Sequence, residues 1–598
     1  MKIIGISIGH SAAATYVENG KLMFAIEEEK MSRIKGHITF PNKSLSHIYK
    51  KFNLSASEID FIAVGCEDIS EFTFSYRRLN EYFNSNSPVD KIKGLLFDGL
   101  KRVFPYAFDL NSKIKNDFFI KMNKIGYAND KILLVNHHLA HAASAYYTSP
   151  WDESLIITSD GKGDGLCGAS YYGKNEEISL IEEINENNSI GQFYQSVTKH
   201  LGYKPLRHEG KITGLAAYGN SNKTFSLMNE IFTYEKGNLT NNLSSNKDLT
   251  NNPIKFYKKY IKNNEMIPLS YVKSLNKRLG RYAIGYANYL NFLSKNLKSF
   301  NREDISSGIQ KLTEESIVSF VEKNLKNNPN KNICLAGGVF ANVRVNQKIN
   351  EIKGVENVYV QPAMNDSGTA LGAALFCWIK FSKIKSFQSL ESVYIGPSYD
   401  SSEIEKCLKF SGLKYYKSKN FHDEIAKYLN QGLIIGRYNG SLEWGPRALG
   451  NRSILVRPTD KSVNDTLNKR LNRTEFMPFA PSVLDEDASN IFENYSDSDL
   501  AAKYMTITYN VKREYLTKIE AAVHIDGTAR PQIVSYNDNP SYYKIIKSYK
   551  NISGIGVVMN TSFNMHEEPI VNTPNDALKA FNSGAVDILS IGEYIIKK

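Results

Sequence analysis

Cysteine is scarce in this chain: five residues in 598, at 66, 167, 334, 377 and 407, with no CxxC pair among them. That excludes a disulfide framework and a cysteine-based zinc ribbon, and it suits a reducing cytosol in which the thiols fill cores. No stretch approaches the ~18 consecutive apolar residues of a membrane-spanning helix. The start, MKIIGISIGHSAAATYV, reaches Gly, Ser and His before a signal-peptide core is complete. A cytoplasmic protein with no membrane partner is expected. Nor is there a block of like charge. The net charge of +12 comes from Lys scattered among Asn and Ile, which argues against a polyanion-binding tail, although a stripe assembled by folding stays open.

What is present is ordinary globular material, 42% hydrophobic and 23% charged. At 598 residues it exceeds what one core organises, so at least two domains are expected. Residues 3–29 alternate short β-prone runs with turns and read as three antiparallel strands, Asn19-Gly20 favouring a tight hairpin. The stretch LIITSDGKGDGLCGASYYGKNEEISLIEEI, from Leu155, repeats that plan. Two such openings predict an internally duplicated α/β domain.

Further on, LTNNLSSNKDLTNNP (Leu239 to Pro253) is too polar to build a core and reads as a surface loop. Ile309, Leu312, Ile317, Phe320, Val321 and Leu325 recur at helical spacing ahead of a strand at Ile333 to Leu335. GTALGAALFCWIK, from Gly368, reads as a closely packed helix. A change to turn-forming residues places a domain boundary near 385 to 395, and a second α/β domain follows.

The sharpest chemical feature is NHHLAHAASAYY from Asn136. His137 and His141 lie one helical turn apart, a spacing that lets two imidazoles hold one metal, while His138 points elsewhere. A histidine-rich helix cap fits the same spacing. Asp160 and Asp366 could complete a site, or serve as turn and cap residues. Two His and two Asp would suit iron or another first-row divalent ion.

Gly337-Gly338, between strand and helix, could admit a phosphate or nucleotide to backbone amides, or simply make a tight turn. Arg447 and Arg452 sit among glycines, followed by Lys469, Arg470, Arg473 and Arg530, with Asn560 and Ser562 in MNTSFN. Arginine forks and hydroxyls embedded in Gly, Pro and aromatic motifs favour an anion site over solvated surface arginines.

Ten ordered motifs then agree. GISIGHSAAA, EEEKMSRIKG, HHLAHAASAYY, HEGKITGLAAYG, CLAGGVFANVRVN, NDSGTALGAAL, EWGPRALGNRSI, MPFAPSVL, HIDGTARPQ and NTSFN together resemble the nodulation-type and antibiotic O-carbamoyltransferases. The resemblance implies a duplicated actin/sugar-kinase-like (ASKHA) amino-terminal domain, residues 1–385, similar to the tRNA threonylcarbamoylation subunit. Residues 390–598 would then form a YrdC-like α/β domain that makes carbamoyl adenylate from carbamoyl phosphate and ATP with Mg2+. The first domain would pass the carbamoyl group to a hydroxyl of a small-molecule acceptor.

By the same resemblance, His137, His141, Asp160 and Asp366 are the ligands of an Fe2+-type metal, and His10 and Lys35 contact the reacting carbamoyl group. Glu209 and Lys211 lie by the acceptor and nucleotide; Gly337, Gly338 and Asn346 cradle the adenylate. Arg447, Arg452, Arg470, Arg473, Arg530, Asn560 and Ser562 hold carbamoyl phosphate and ATP. The chain departs from the family at LNKRLNRTEFMPF, where Arg470, Arg473 or Lys469 stands in for a Lys and an Arg, and at MHEEPIV, where relatives often have Gly before Glu-Pro. No nucleic-acid partner is implied, and a homodimer is compatible. The rival expectation is a tRNA-modifying threonylcarbamoyl-transfer-type enzyme, separated by whether the carbamoyl label enters tRNA.

Overall fold

The computed structural model describes residues 1–69, 110–243, 289–290, 292–383, 386–471 and 479–598. The architecture is α/β with mixed sheets. Strands β1 (Lys2–Ser7), β2 (Ala13–Glu18) and β3 (Lys21–Glu27) make the expected antiparallel meander. Asn19 and Gly20 take φ of +49° and +80°, the left-handed pair that a two-residue primed turn requires. Helices α1 (Glu28–Ser32) and α2 (Asn42–Lys51) follow, then β4 (Phe61–Val64) and β5 (Ile132–Leu134), which join parallel to β1 in the order β3-β2-β1-β4-β5.

After α3 (His137–Tyr146) the plan repeats. β6 (Glu153–Gly163), β7 (Leu166–Lys174) and β8 (Glu177–Asn185) are an antiparallel meander. Beyond α4 (Glu209–Ala216) and α5 (Arg302–Asn327), β9 (Asn332–Ala336) pairs parallel with β6. Helix α6 (Val343–Asn350) leads to β10 (Asn357–Val360), which pairs parallel with β9. The order β8-β7-β6-β9-β10 is that of the first sheet, so the repeated strand pattern corresponds to a repeated topology.

Helix α7 (Ser367–Phe381) lies against α3 and β1. Small residues make this approach close: a Cβ on Gly372 would stand 1.7 Å from the Ala140 carbonyl oxygen, and one on Gly5 would stand 1.9 Å from that of Ala370. On α5, Ile309, Leu312, Ile317, Phe320 and Val321 are buried along one stripe, as their spacing predicts.

The polar stretch from Leu239 differs from the expected surface loop. Thr240–Asn241 pairs with Phe232–Thr233, and Leu239 and Asn241 are buried. Asn241 can be buried because its amide donates to the Asn187 carbonyl, 3.0 Å away. The remainder of that stretch, from 244, lies outside the described residues.

Residues 386–399 form no helix or strand. Every strand of the third sheet comes after them, in the order Tyr415–Lys417, Tyr594–Lys597, Ile588–Ile591, Ile435–Tyr438, Arg452–Val456, Val557–Ser562, Ala480–Leu484 and Gln532–Val534. This sheet's surroundings are fastened to α6: Asn346 donates to the Thr506 carbonyl at 2.7 Å, and the Thr508 hydroxyl donates to Gln347 at 2.7 Å. Four of the five cysteines are buried. Among the described residues no helix is long and apolar enough to cross a membrane.

Candidate functional site

Asn136 caps α3 by accepting from the His138 and Leu139 amides, which starts the helix at His137 and turns His137 and His141 to one side. Their Nε2 atoms are 3.2 Å apart. Asp160, inside β6, brings Oδ2 to 3.6 Å from His137 and 3.2 Å from His141. Asp366, at the start of α7, brings Oδ1 to 3.7 and 3.8 Å from the same nitrogens and makes no helix-capping bond. All four ligand atoms lie within 4.8 Å of one another.

Metal bonds of about 2.1 Å in a tetrahedral arrangement separate ligand atoms by roughly 3.4 Å, and the spacings of 3.2 to 3.8 Å bracket that value. Two facing imidazole nitrogens and two carboxylates therefore fit a first-row divalent ion. Burial opposes ionisation of Asp160, yet the imidazoles of His137 and His141 hold it well below the usual carboxylate range. Burial lowers the His137 pKa, but Asp160 and Asp366 bring its net shift upward.

The surroundings orient these ligands. His137 Nδ1 faces the Gly65 carbonyl at 3.3 Å, and its backbone N–H donates to Asp164, which also accepts from the Glu67 and Asp68 amides. Gly163 leaves room for the ring, since a Cβ there would lie 2.1 Å from His137 Cδ2. His138 turns away to Thr158, 2.9 Å distant. Asp164 was missed in the sequence, although it stands in the second Asp-Gly of the same glycine-rich stretch.

His10 comes within electrostatic reach of Asp160. Its Nε2 is 3.2 Å from the Leu206 carbonyl and its Nδ1 is 3.1 Å from the Ser11 hydroxyl. Burial lowers its pKa, which keeps the ring neutral. Lys35 is paired with Glu29 at 2.6 Å. Glu209 accepts from the Leu206 amide at 2.7 Å, and desolvation raises its pKa to about 7. Lys211 lies 5.5 Å over the Tyr203 ring.

The glycine turn adjoins the quartet: a Cβ on Gly338 would sit 2.9 Å from Asp160 Oδ1, and Gly337 takes φ of +109°. Asn346 instead gives its amide to the Phe340 and Thr506 carbonyls. A cavity of about 500 Å³ is lined in part by Thr213, Gln310, Glu314, Arg344, Lys348 and Asp526.

In the second half, Arg447 and Arg530 lie within electrostatic reach of each other. Burial pulls the Arg447 pKa down to about 10; burial and then the Arg447 charge lower that of Arg530. Both Nε atoms are buried without a partner among the described residues. Buried guanidinium donors without a partner are the groups an anion would satisfy. Arg447 also donates to the Ala341 carbonyl, 3.3 Å away, in the glycine turn.

Several other candidates have partners within the protein. Arg452 is fully buried and gives its fork to the carbonyls of Asn439, Asn451 and Gly440. Arg470 pairs with Asp587 at 2.6 Å. Asn560 donates to Ala448, Ser482 and Gln532, and Ser562 ends its strand opposite Ser453. Arg473 lies outside the described residues.

Two family models match the chain: Carbamoyltransferase N-terminus over residues 2–375 and Carbamoyltransferase C-terminus over residues 426–598. An uncharacterized protein of Methanocaldococcus jannaschii is 32% identical, with 100% of both chains covered. Nodulation protein NolNO of Sinorhizobium fredii is 30% identical, covering 98% of this chain and 79% of its own length. Nodulation protein U of the same species is 25% identical, covering 95% of this chain and 94% of its own.

Proposed function

The chain belongs to the carbamoyltransferase family and is a carbamoyltransferase; from that premise we propose that it activates carbamoyl phosphate with ATP in residues 390–598 and transfers the carbamoyl group to an acceptor hydroxyl in residues 1–385. In this reading the first unit is of the actin/sugar-kinase type and the second is YrdC-like. Carbamoyl phosphate, ATP and water give carbamoyl adenylate, phosphate and pyrophosphate. The acceptor oxygen then bonds to the carbonyl carbon, AMP leaves, and the hydroxyl proton is lost.

The observation that carries the reading is the contact of Arg447 with Ala341. It brings Arg447 to the turn whose Gly338 abuts Asp160. Activation needs positive charge on phosphates; transfer needs a polarised carbonyl and a held nucleophile. Arg447 and Asp160 thus both adjoin one short loop, at Ala341 and at Gly338.

Arg447 and Arg530 would hold the phosphates, and the cavity beside Gln310 and Arg344 has room for a nucleoside. His10, kept neutral by burial, can take the acceptor proton. Lys35 can then lean from Glu29 toward developing negative charge. His137, His141, Asp160 and Asp366 would hold Fe2+ or a similar ion, which when bound would polarise the carbamoyl carbonyl. The acceptor is a hydroxylated small molecule of the sugar-containing class.

Labelled carbamoyl phosphate, ATP and Mg2+ test the proposal. Pyrophosphate release dependent on carbamoyl phosphate is expected, with label entering a hydroxylated acceptor. Label entering tRNA, or no pyrophosphate, would overturn it.

A further inference from the structure

The acidic run Glu27-Glu28-Glu29 and the lysine that follows it divide their contacts in two directions. Glu28 accepts from the Lys43 and Ser44 amides and so starts α2, and Glu29 holds Lys35 and the Gly36 amide. Glu27 and Lys30 face the other half of the chain. Lys30, 1% exposed, has its Nζ 2.8 Å from Glu27 Oε2, 2.9 Å from the Glu443 carbonyl and 2.8 Å from the Gly445 carbonyl. Glu27 Oε1 accepts from the Gly445 amide at 3.0 Å. Lys30 thus donates to two carbonyls of the loop that carries Arg447 and pairs ionically with Glu27.

That loop is closed on itself. Glu443 Oε1 accepts from the amides of Leu449, Asn451 and Arg452 at 2.8, 2.8 and 3.1 Å. Gly445, at φ +105°, backs onto the first half so tightly that a Cβ would stand 2.6 Å from the Pro362 carbonyl oxygen. Arg447, two positions on, reaches Ala341. A buried ion pair is a poor way to gain stability, because desolvation offsets most of its attraction, and fixing register is its best-attested use. An apolar pair would have held the halves together as well.

We propose that Lys30 is a positioning residue: through Glu443 and Gly445 it holds Arg447 in register with the turn at 337–341 and closes the seam between the activation and transfer sites, so that carbamoyl adenylate crosses without release to water. The inference rests on the functional reading above. Its mechanical logic is that α1 and the residues flanking it touch both sites, Glu29 with Lys35 on the transfer side and Glu27 with Lys30 on the activation side.

The test needs no acceptor. The full chain is mixed with ATP, Mg2+ and carbamoyl phosphate, and pyrophosphate and AMP are followed together. Wild type should give a pyrophosphate burst of about one equivalent with slow AMP release, as expected of a retained intermediate. Lys30→Gln should release AMP roughly tenfold faster relative to its own burst, as loss of a coupling contact implies. That ratio is independent of how much of the sample is folded, so a merely structural role would leave it unchanged. Should Lys30→Gln not fold, the double variant Glu27→Gln/Lys30→Met, which leaves no unpaired buried charge, gives the same readout. A wild-type burst with an unchanged ratio in the variants overturns the inference alone. Absence of the wild-type burst overturns the functional reading and the inference with it.

Discussion

The Nε2 atoms of His137 and His141 stand 3.2 Å apart, each also within 3.8 Å of Asp160 and Asp366. Two imidazoles so close, beside two carboxylates, direct lone pairs at one point. His141→Ala should lower metal content of the purified chain from near one equivalent to background by elemental analysis. It should also abolish transfer while sparing pyrophosphate release. Asp164→Ala, which frees the His137 amide without removing a ligand, should weaken metal binding roughly 10- to 100-fold.

Gly163→Ala should reproduce much of that loss without touching a polar group. The added Cβ would fall 2.1 Å from the His137 ring, so the ring must move; overpacking of this kind costs about 1–3 kcal/mol. Chemical denaturation and metal titration on the same protein measure the two effects.

Arg447→Ala should abolish pyrophosphate release dependent on carbamoyl phosphate, and Arg530→Ala should do likewise, because each removes one of two guanidiniums within electrostatic reach of one another. Inorganic pyrophosphate should raise the melting temperature of wild type by mass action and leave both variants unmoved.

Glu209 sets a pH dependence. Its folded pKa is about 7 against an ordinary value near 4.5, so the folded chain carries an extra proton between those limits. Stability therefore falls as pH rises from about 4.5 to about 7, by at most ~1.4 kcal/mol for each step of one in pH, and levels off above. Glu209→Gln should flatten that slope in urea unfolding measured at pH 5 and pH 8.

Glu567 takes φ of +63° and yet contacts Lys204, Arg207 and His208 at 2.9, 3.3 and 2.9 Å. Replacing it by Ala loses the ionic contacts and keeps the backbone strain; replacing it by Gly loses the contacts and relieves the strain. Glu567→Gly should be more stable than Glu567→Ala by about 1 kcal/mol, measured by denaturant midpoint.

Local pattern carried the reading of the sequence far. Strand alternation and Asn19-Gly20 gave the first meander, its recurrence at Leu155 gave the second, and helical spacing gave α5. The metal quartet needed more, because Asp366 is 229 positions from His137 and only the family resemblance joined them. Arginines in glycine-rich turns proved ambiguous for a physical reason: a fork that binds phosphate oxygens binds carbonyl oxygens equally well. Arg447 and Arg530 keep buried Nε donors without a partner among the described residues, whereas Arg452 is taken up by its own turn and Arg470 by Asp587. Lys30 was invisible because its partners are 413 and 415 positions away.

The two matching sheets carry one more implication. Ser7-Ile8-Gly9-His10 leaves β1 as Ser159-Asp160-Gly161-Lys162 runs through β6, with Ile3 and Leu155 paired to the first parallel neighbour in each sheet. By that pairing Ile8 in the first sheet's hairpin corresponds to Asp160 in the second's, and His10 to Lys162, so one repeated backbone plan offers the quartet a carboxylate from one copy and sets an apolar side chain in its place on the other.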